Sequence, residues 1–141
     1  MNVTIQQGLP EAAKTIRQEV FVQEQGFKAE FDDIDPTAWH VVLWDGNTPV
    51  GCCRIFPGER PQTYVMGRLA VRKIRRGCHL GNRIMAAMED FVRAHGGSRV
   101  ELSAQVRVRP FYEALGYTAS SDEYLDEYCP HIHMEKELTL P

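Results

Sequence analysis

The sequence predicts an α+β fold: a mostly antiparallel sheet with helices on its faces. Three observations carry that prediction. Trp39 to Trp44, Pro49 to Phe56 and Thr63 to Val71 are apolar runs joined by two turn signals, Asp45-Gly46-Asn47 and Pro57-Gly58-Glu59-Arg60-Pro61. Leu69 to Ala94 then reads as a strand end, a tight basic loop and an amphipathic helix. In that helix Leu80, Ile84, Met88, Phe91 and Val92 fall on one stripe. Finally, 141 residues, 43% hydrophobic and 25% charged, suit one domain with one proper core.

The remaining elements come in chain order. Asn2 to Gln6 alternates as a short strand, and Gly8 turns it. Pro10 to Gln25 is a helix with Ala13, Ile16 and Val20 on one face. Pro10 sits near its start, where a missing N–H costs nothing, and Gly26 ends it. Phe27 to Pro36 is an acidic loop or short helix. Its Glu30, Asp32, Asp33 and Asp35 are expected to be solvated, although they could attract a cationic amine. Gly96-Gly97 caps the central helix. Arg99 to Ala104 is a strand. Pro110 opens a short helix with Phe111, Ala114 and Leu115 on one face and Tyr112 pointing away from it, and Gly116 closes it. Tyr117 to Asp122 and His131 to Leu138 complete the sheet around a polar loop, Ser120 to Pro130. The order is β, helices, three antiparallel strands, α, β, α, β, β.

A net charge of −3 argues against nucleic acid as the main partner. No apolar run reaches the roughly 18 residues of a membrane helix, and the first residues lack a signal pattern, so a cytoplasmic location is expected. Cys52, Cys53, Cys78 and Cys129 form no C-x-x-C pair and read as free thiols. Cys129, His131 and His133 lie at i, i+2 and i+4, so a strand would put them on one face. That leaves zinc binding as a minority alternative.

The loop Arg75-Arg76-Gly77-Cys78-His79-Leu80-Gly81 carries the strongest chemical signal. Glycines permit a sharp turn and close backbone approach. A helix N-terminus offers unpaired amides and the positive end of a dipole, which suits a pyrophosphate, with Lys73, Arg75 and Arg76 adding charge. The loop lacks the Gly-Lys-Ser/Thr of a nucleotide P-loop and the G-x-G of a dinucleotide site.

These residues resemble the GNAT N-acetyltransferase family. Arg76-Gly77-Cys78-His79-Leu80-Gly81 is similar to its Q/R-x-x-G-x-G/A loop, with His79 in place of the middle glycine. Phe111-Tyr112-Glu113-Ala114-Leu115-Gly116-Tyr117 is similar to its FYxxLGF hallmark. Glu19 to Gly26, Ala104-Gln105 and Pro130-His131-Ile132-His133-Met134 resemble the ElaA/YjcF-like branch. The resemblance implies a GNAT-like mixed, mostly antiparallel sheet flanked by helices, spanning residues 1–141 as one acyltransferase domain. It implies acetyl-CoA as co-substrate and a small-molecule or peptide amine as acceptor. The family is often dimeric, so a homodimer is admitted.

The resemblance places cofactor contacts at Leu69, Ala70 and Val71 on a strand edge, and at Arg76, Gly77, Cys78, His79, Leu80 and Gly81 in the loop. Gln105, Phe111 and Tyr112 complete the set. Tyr112 is the candidate acid for the leaving thiolate, since a phenol is protonated at neutral pH. His40 and His131 are alternative candidate bases. A CoA-binding sensor or interaction module with little catalysis is the competing reading, kept open by His79.

Overall fold

The computed structural model describes residues 1–139. Strand β1 (Asn2–Gln7) leads to helix α1 (Glu11–Arg17), which continues as a π-helical stretch, Gln18–Glu24. Strands β2 (Trp39–Asp45), β3 (Thr48–Pro57) and β4 (Thr63–Val71) come after it. Helix α2 (Leu80–Ala94), strand β5 (Arg99–Gln105) and short helix α3 (Arg109–Ala114) are next, and β6 (Thr118–Ala119), β7 (Tyr124–Asp126) and β8 (Cys129–Glu137) close the chain. The eight-stranded sheet runs β1-β2-β3-β4-β5-β8-β6, with β7 also paired to β8. Among the described residues only β4 and β5 pair in parallel. The expected α+β architecture is therefore observed. No helix among the described residues is long and apolar enough to cross a membrane.

Strand alternation divides the core. Val41, Leu43 and Cys53 point to the face covered by Leu80, Ile84, Met88 and Val92 of α2. Val42 and Cys52 point to the other face, under Ala13, Ile16 and Val20. The predicted stripe of α2 is the buried one. Each such aliphatic side chain contributes about 1.5–3 kcal/mol. Gly51 lets α2 approach, since a Cβ there would lie 2.6 Å from the end of Ile84.

Several expectations are corrected. Tyr117 to Asp122 does not form one strand. Only Thr118–Ala119 pairs with β8, and the polar loop itself holds β7, which makes a hairpin with β8. The predicted helix Pro10 to Gln25 loosens after Arg17: the Gln25 amide bonds the Val20 carbonyl five residues back, at 3.1 Å.

The acidic loop is only half solvated, because Glu30 and Asp35 are buried. Arg17 lies on the buried face of α1, 1% exposed. Its Nε donates to Glu30 at 2.8 Å, and its Nη1 and Nη2 to Asp35 at 2.7 and 3.1 Å. Arg54 of β3 donates to Asp32 at 2.6 Å and to Asp35 at 2.9 Å. Arg68 of β4 pairs with Glu30 at 3.1 Å. Burial opposes the charge on Asp35, but hydrogen bonds from Arg17, the Asp32 amide and Arg54 outweigh it and hold its carboxyl well below the usual range. Asp32 and Asp33 stay exposed, and of these two only Asp32 is drawn into the ion pairs among the described residues.

Removing one partner of a buried ion pair leaves the others uncompensated. Arg17→Met is therefore expected to lower unfolding free energy by about 3–5 kcal/mol. Urea denaturation checks this, and a change below about 1 kcal/mol would show that solvent replaces the guanidinium at little cost.

Candidate active site

The site begins where two strands part. Thr63 to Met66 of β4 pair with Arg99 to Leu102 of β5, and the pairing stops there. On its other side β4 carries a bulge: Arg54 opposes Gly67 and Cys52 opposes Ala70, so Arg68 and Leu69 together face Cys53. Arg68 takes a left-handed φ of 54°. A bulge bends its strand and raises its twist, which turns the end of β4 away from β5.

The gap is a cleft of about 360 Å³. Leu69, Gln105 and Tyr112 line it, as do His131 and His133 of β8. Phe21, Gln25 and Phe27 form its wall from the π-helical side. Gln25 and Gln105 hydrogen-bond at 2.8 Å, and the Tyr128 hydroxyl donates to the Gln25 carbonyl. Glu127, at the turn after β7, accepts the amides of Lys28 and Ala29, each at 3.1 Å. These bonds strap the segment after α1 to the β5–β8 wall. The sequence offers no signal for this role of Gln25 beyond its place in the branch-like stretch.

The basic loop lies between β4 and α2. Gly77 has φ 86°, and His79 is left-handed at φ 59°, ψ 27°. Among the described residues the amides of Gly77, Cys78 and His79 donate to no backbone carbonyl. The first turn of α2 leaves its own amides open as well. This donor set fits an anion such as a pyrophosphate. The guanidinium groups at the loop's rim are paired with acids. Arg76 donates to Glu24 at 2.6 and 2.8 Å and to the Val71 carbonyl at 2.9 Å, and Arg75 donates to Asp45 at 2.6 Å. The Arg76 hydrogen bonds hold the Glu24 carboxyl below its usual range. Gly81 has a packing reason: a Cβ there would meet the Phe111 ring at 3.2 Å. Phe111 therefore packs under the loop and does not line the cleft. Ala70 is buried in the opposite core.

Tyr112 does not point away from the apolar face. It is 6% exposed and belongs to the main core. Phe111 and Tyr117 pack edge-on against it, with centroids 5.0 and 6.0 Å away. A short helix buries whichever side the sheet offers, and its own six residues do not define that side. Burial pushes the Tyr112 phenol well up, so it stays protonated. Its hydroxyl has no hydrogen-bond partner among the described residues, although Tyr112 lines the cleft.

The two candidate histidines separate. His40 is 1% exposed and does not line the cleft. Its Nε2 lies 3.0 Å from the Asp35 carbonyl, and burial lowers its pKa. It supports the ion network, and the structure offers it no route to a substrate. His131 lines the cleft, with Tyr124 stacked on it and Phe27 edge-on. Its Nδ1 lies 2.9 Å from the Cys129 carbonyl. A carbonyl only accepts, so Nδ1 carries the hydrogen and Nε2 is left as the acceptor. Among the described residues no three His, Cys, Asp or Glu side chains converge on a metal position, Cys129, His131 and His133 included.

A non-glycine residue in the left-handed region costs about 1–2 kcal/mol. Glycine returns about 0.5–1 kcal/mol of that as unfolded-chain entropy. His79→Gly is therefore expected to stabilise the fold by about 0.5–1 kcal/mol in urea unfolding. A loss of stability would mean that the imidazole makes a compensating contact.

Comparison with known proteins gives the family and the fold. The model of the acetyltransferase (GNAT) domain matches residues 5–138. The uncharacterized N-acetyltransferase YjcF of Bacillus subtilis (strain 168) is 36% identical over 126 residues, covering 86% of this chain and 88% of that one. The crystal structure of Escherichia coli ElaA superimposes with a TM-score of 0.87 at 26% identity, over 96% of this chain and 99% of that one. An acyl-CoA N-acyltransferase from Pseudomonas aeruginosa superimposes with a TM-score of 0.83 at 27% identity, over 96% and 98%. The chain belongs to the GNAT acetyltransferase family, on its ElaA/YjcF-like branch, and its activity is acyl-CoA-dependent N-acyl transfer to an amine.

Proposed function

We propose that the donor is acetyl-CoA, that it lies in the β4–β5 cleft, and that the acceptor is a small-molecule or peptide amine. The observation that carries this reading is the opening of β4 from β5 after Met66 beside a helix start with open amides. The amides from Gly77 to Gly81 hold the pyrophosphate. Backbone groups of Leu69 and Val71 pair with the pantetheine amides, and Gln105 closes the far wall. Acetyl-CoA supplies an activated acetyl thioester.

In this reading His131 Nε2 takes a proton from the acceptor amine, whose nitrogen forms the new bond to the acetyl carbon. As the C–S bond breaks, Tyr112 gives its proton to the leaving sulfur. Burial keeps the phenol neutral, so its proton is in place as the thiolate forms, and the same burial disfavours the phenolate that full transfer leaves behind. The paired loop arginines leave anion recognition chiefly to backbone amides, so the site positions reactants more than it supplies bulk charge. Orientation of this kind can contribute roughly 7–11 kcal/mol. Four free cysteines, three of them buried, support a reducing compartment such as the cytoplasm.

Two outcomes are expected. Acetyl-CoA or CoA at 100 times its Kd should stabilise the protein by about 2.7 kcal/mol, read as a thermal shift, and no shift would end the donor assignment. Tyr112→Phe should lower kcat at least about tenfold while leaving CoA binding within about twofold. Unchanged kcat, with chemistry shown to be rate-limiting, would make Tyr112 a packing residue.

A further inference from the structure

The acceptor end of the same cleft holds a buried carboxylate with one oxygen unpartnered among the described residues, and its role rests on acetyl-CoA being the donor held there. The cleft is lined at that end by Glu30, Arg54 and Arg68, and by Gly67 of β4. The oxygens of the neighbouring acids are all engaged. Asp35 Oδ1 accepts from Arg17 and Arg54, and Oδ2 from Arg17 and the Asp32 amide. Asp32 Oδ1 accepts from Arg54 and the Ile34 amide, and Oδ2 from Arg54 and Arg68.

Glu30 differs. Its Oε2 takes Arg17 at 2.8 Å and Arg68 at 3.1 Å. Its Oε1 accepts from nothing among the described residues. The residue is only 5% exposed. The sealed side-chain atoms without partners among the described residues are His40 Nδ1 and Arg54 Nε, and Oε1 is not one of them. Oε1 therefore opens on the cleft that Glu30 lines.

The chemistry of that oxygen selects its ligand. A carboxylate oxygen only accepts, so the ligand must donate. Three guanidinium groups balance three carboxylates in the network, so no net positive charge there draws an anion. Asp126, Glu127 and Arg107 line the cleft as well; the Glu127 carboxylate is already engaged by two amides, and Arg107 donates to Gln105. Arg17 and Arg68 fix Oε2, which sets the direction of Oε1 before any ligand arrives. Burial pushes the Glu30 carboxyl up, so its charged form gains from one more cationic donor.

We propose that Glu30 is the acceptor-binding residue: Oε1 receives the ammonium of a primary alkylamine in the cleft that Tyr112 and His131 also line. The acceptor thus enters as a cation and is held by a charge-assisted hydrogen bond. His131 then takes its proton, and Glu30 stays ionised throughout.

The experiment measures CoA release from acetyl-CoA with n-butylamine, cadaverine and phenethylamine. With the best of these, Glu30→Gln should raise the amine KM about 10- to 100-fold, the loss expected for a hydrogen bond to a charged group. The acetyl-CoA KM and the CoA thermal shift should stay within about twofold. An unchanged amine KM, or equal rises in both KM values, would overturn the proposal. If Glu30→Gln does not fold, Glu30→Asp keeps the charge but withdraws the oxygen, and should raise the amine KM with the CoA shift retained. In the wild type, 1-butanol should compete with butylamine at least about tenfold more weakly than propylamine does, and equal competition overturns the proposal. Absence of both a CoA shift and CoA release with every amine would remove the donor reading and this one together. Release with an unaltered amine KM would remove Glu30 alone.

Discussion

The ion network of Arg17, Glu30, Asp32, Asp35, Arg54 and Arg68, buried at Arg17, Glu30, Asp35 and Arg54, is the constraint on which this fold depends. It joins α1, the segment after it, β3 and the β4 bulge through groups that burial would otherwise penalise heavily. A network of this kind adds little net stability over an apolar core of equal volume, but each member becomes costly to lose alone. Its effect is therefore on geometry. Segment 27–38 cannot leave the sheet without stranding Arg17, and Arg68 cannot leave the bulge without exposing Glu30 to an unbalanced site. The bulge and the neighbouring wall are held in one arrangement, and the cleft lies between them.

The opening of β4 from β5 carries a backbone cost. Two strands that pair over four residues and then separate leave ladder groups without strand partners, which is unfavourable unless water or a ligand satisfies them. The fold limits this cost by closing the gap on the outside. Gln25 reaches Gln105, Tyr128 reaches the Gln25 carbonyl, and Glu127 caps the amides of Lys28 and Ala29. Glu24, the residue before Gln25, ties Arg76 of the basic loop. Two consecutive residues at the end of the π-helical stretch thus fasten the loop to one side and β5 to the other. The π winding has a positional consequence, because it shifts the residues beyond Val20 from where an α-helix would place them.

The loop and the short helix α3 are coupled in a similar way. Gly81 presents a bare backbone to the Phe111 ring, and the next residue, Tyr112, enters the core beside Tyr117. The basic loop and the candidate acid are therefore held by one packing contact. His79 stands where the family pattern has glycine, and it occupies the left-handed region that glycine enters more readily than any other residue.

The sequence by itself determined what is local. Hairpin turns, the stripe of α2, the glycines around the loop and the helix-opening Pro110 depend on neighbours within a few residues, and the structure has them as read. The family motifs are legible for the same reason, being short and contiguous. What only the tertiary structure decided depends on partners far apart in the chain. Arg17 meets Glu30 and Asp35, Gln25 meets Gln105 across 80 residues, and Arg54 meets Asp32, and no periodicity records such pairs. The acidic loop reads as solvated because burial of a carboxylate requires cations that come from other elements. His40 and His131 are equivalent by residue type, and only their surroundings separate them: one lies in the network, the other in the cleft. Spacing puts Tyr112 on the wrong side because a short helix has too few residues to define its own buried face. The cost of burying charge and the direction of a side chain are properties of the assembled environment, so folding, and not spacing, sets them.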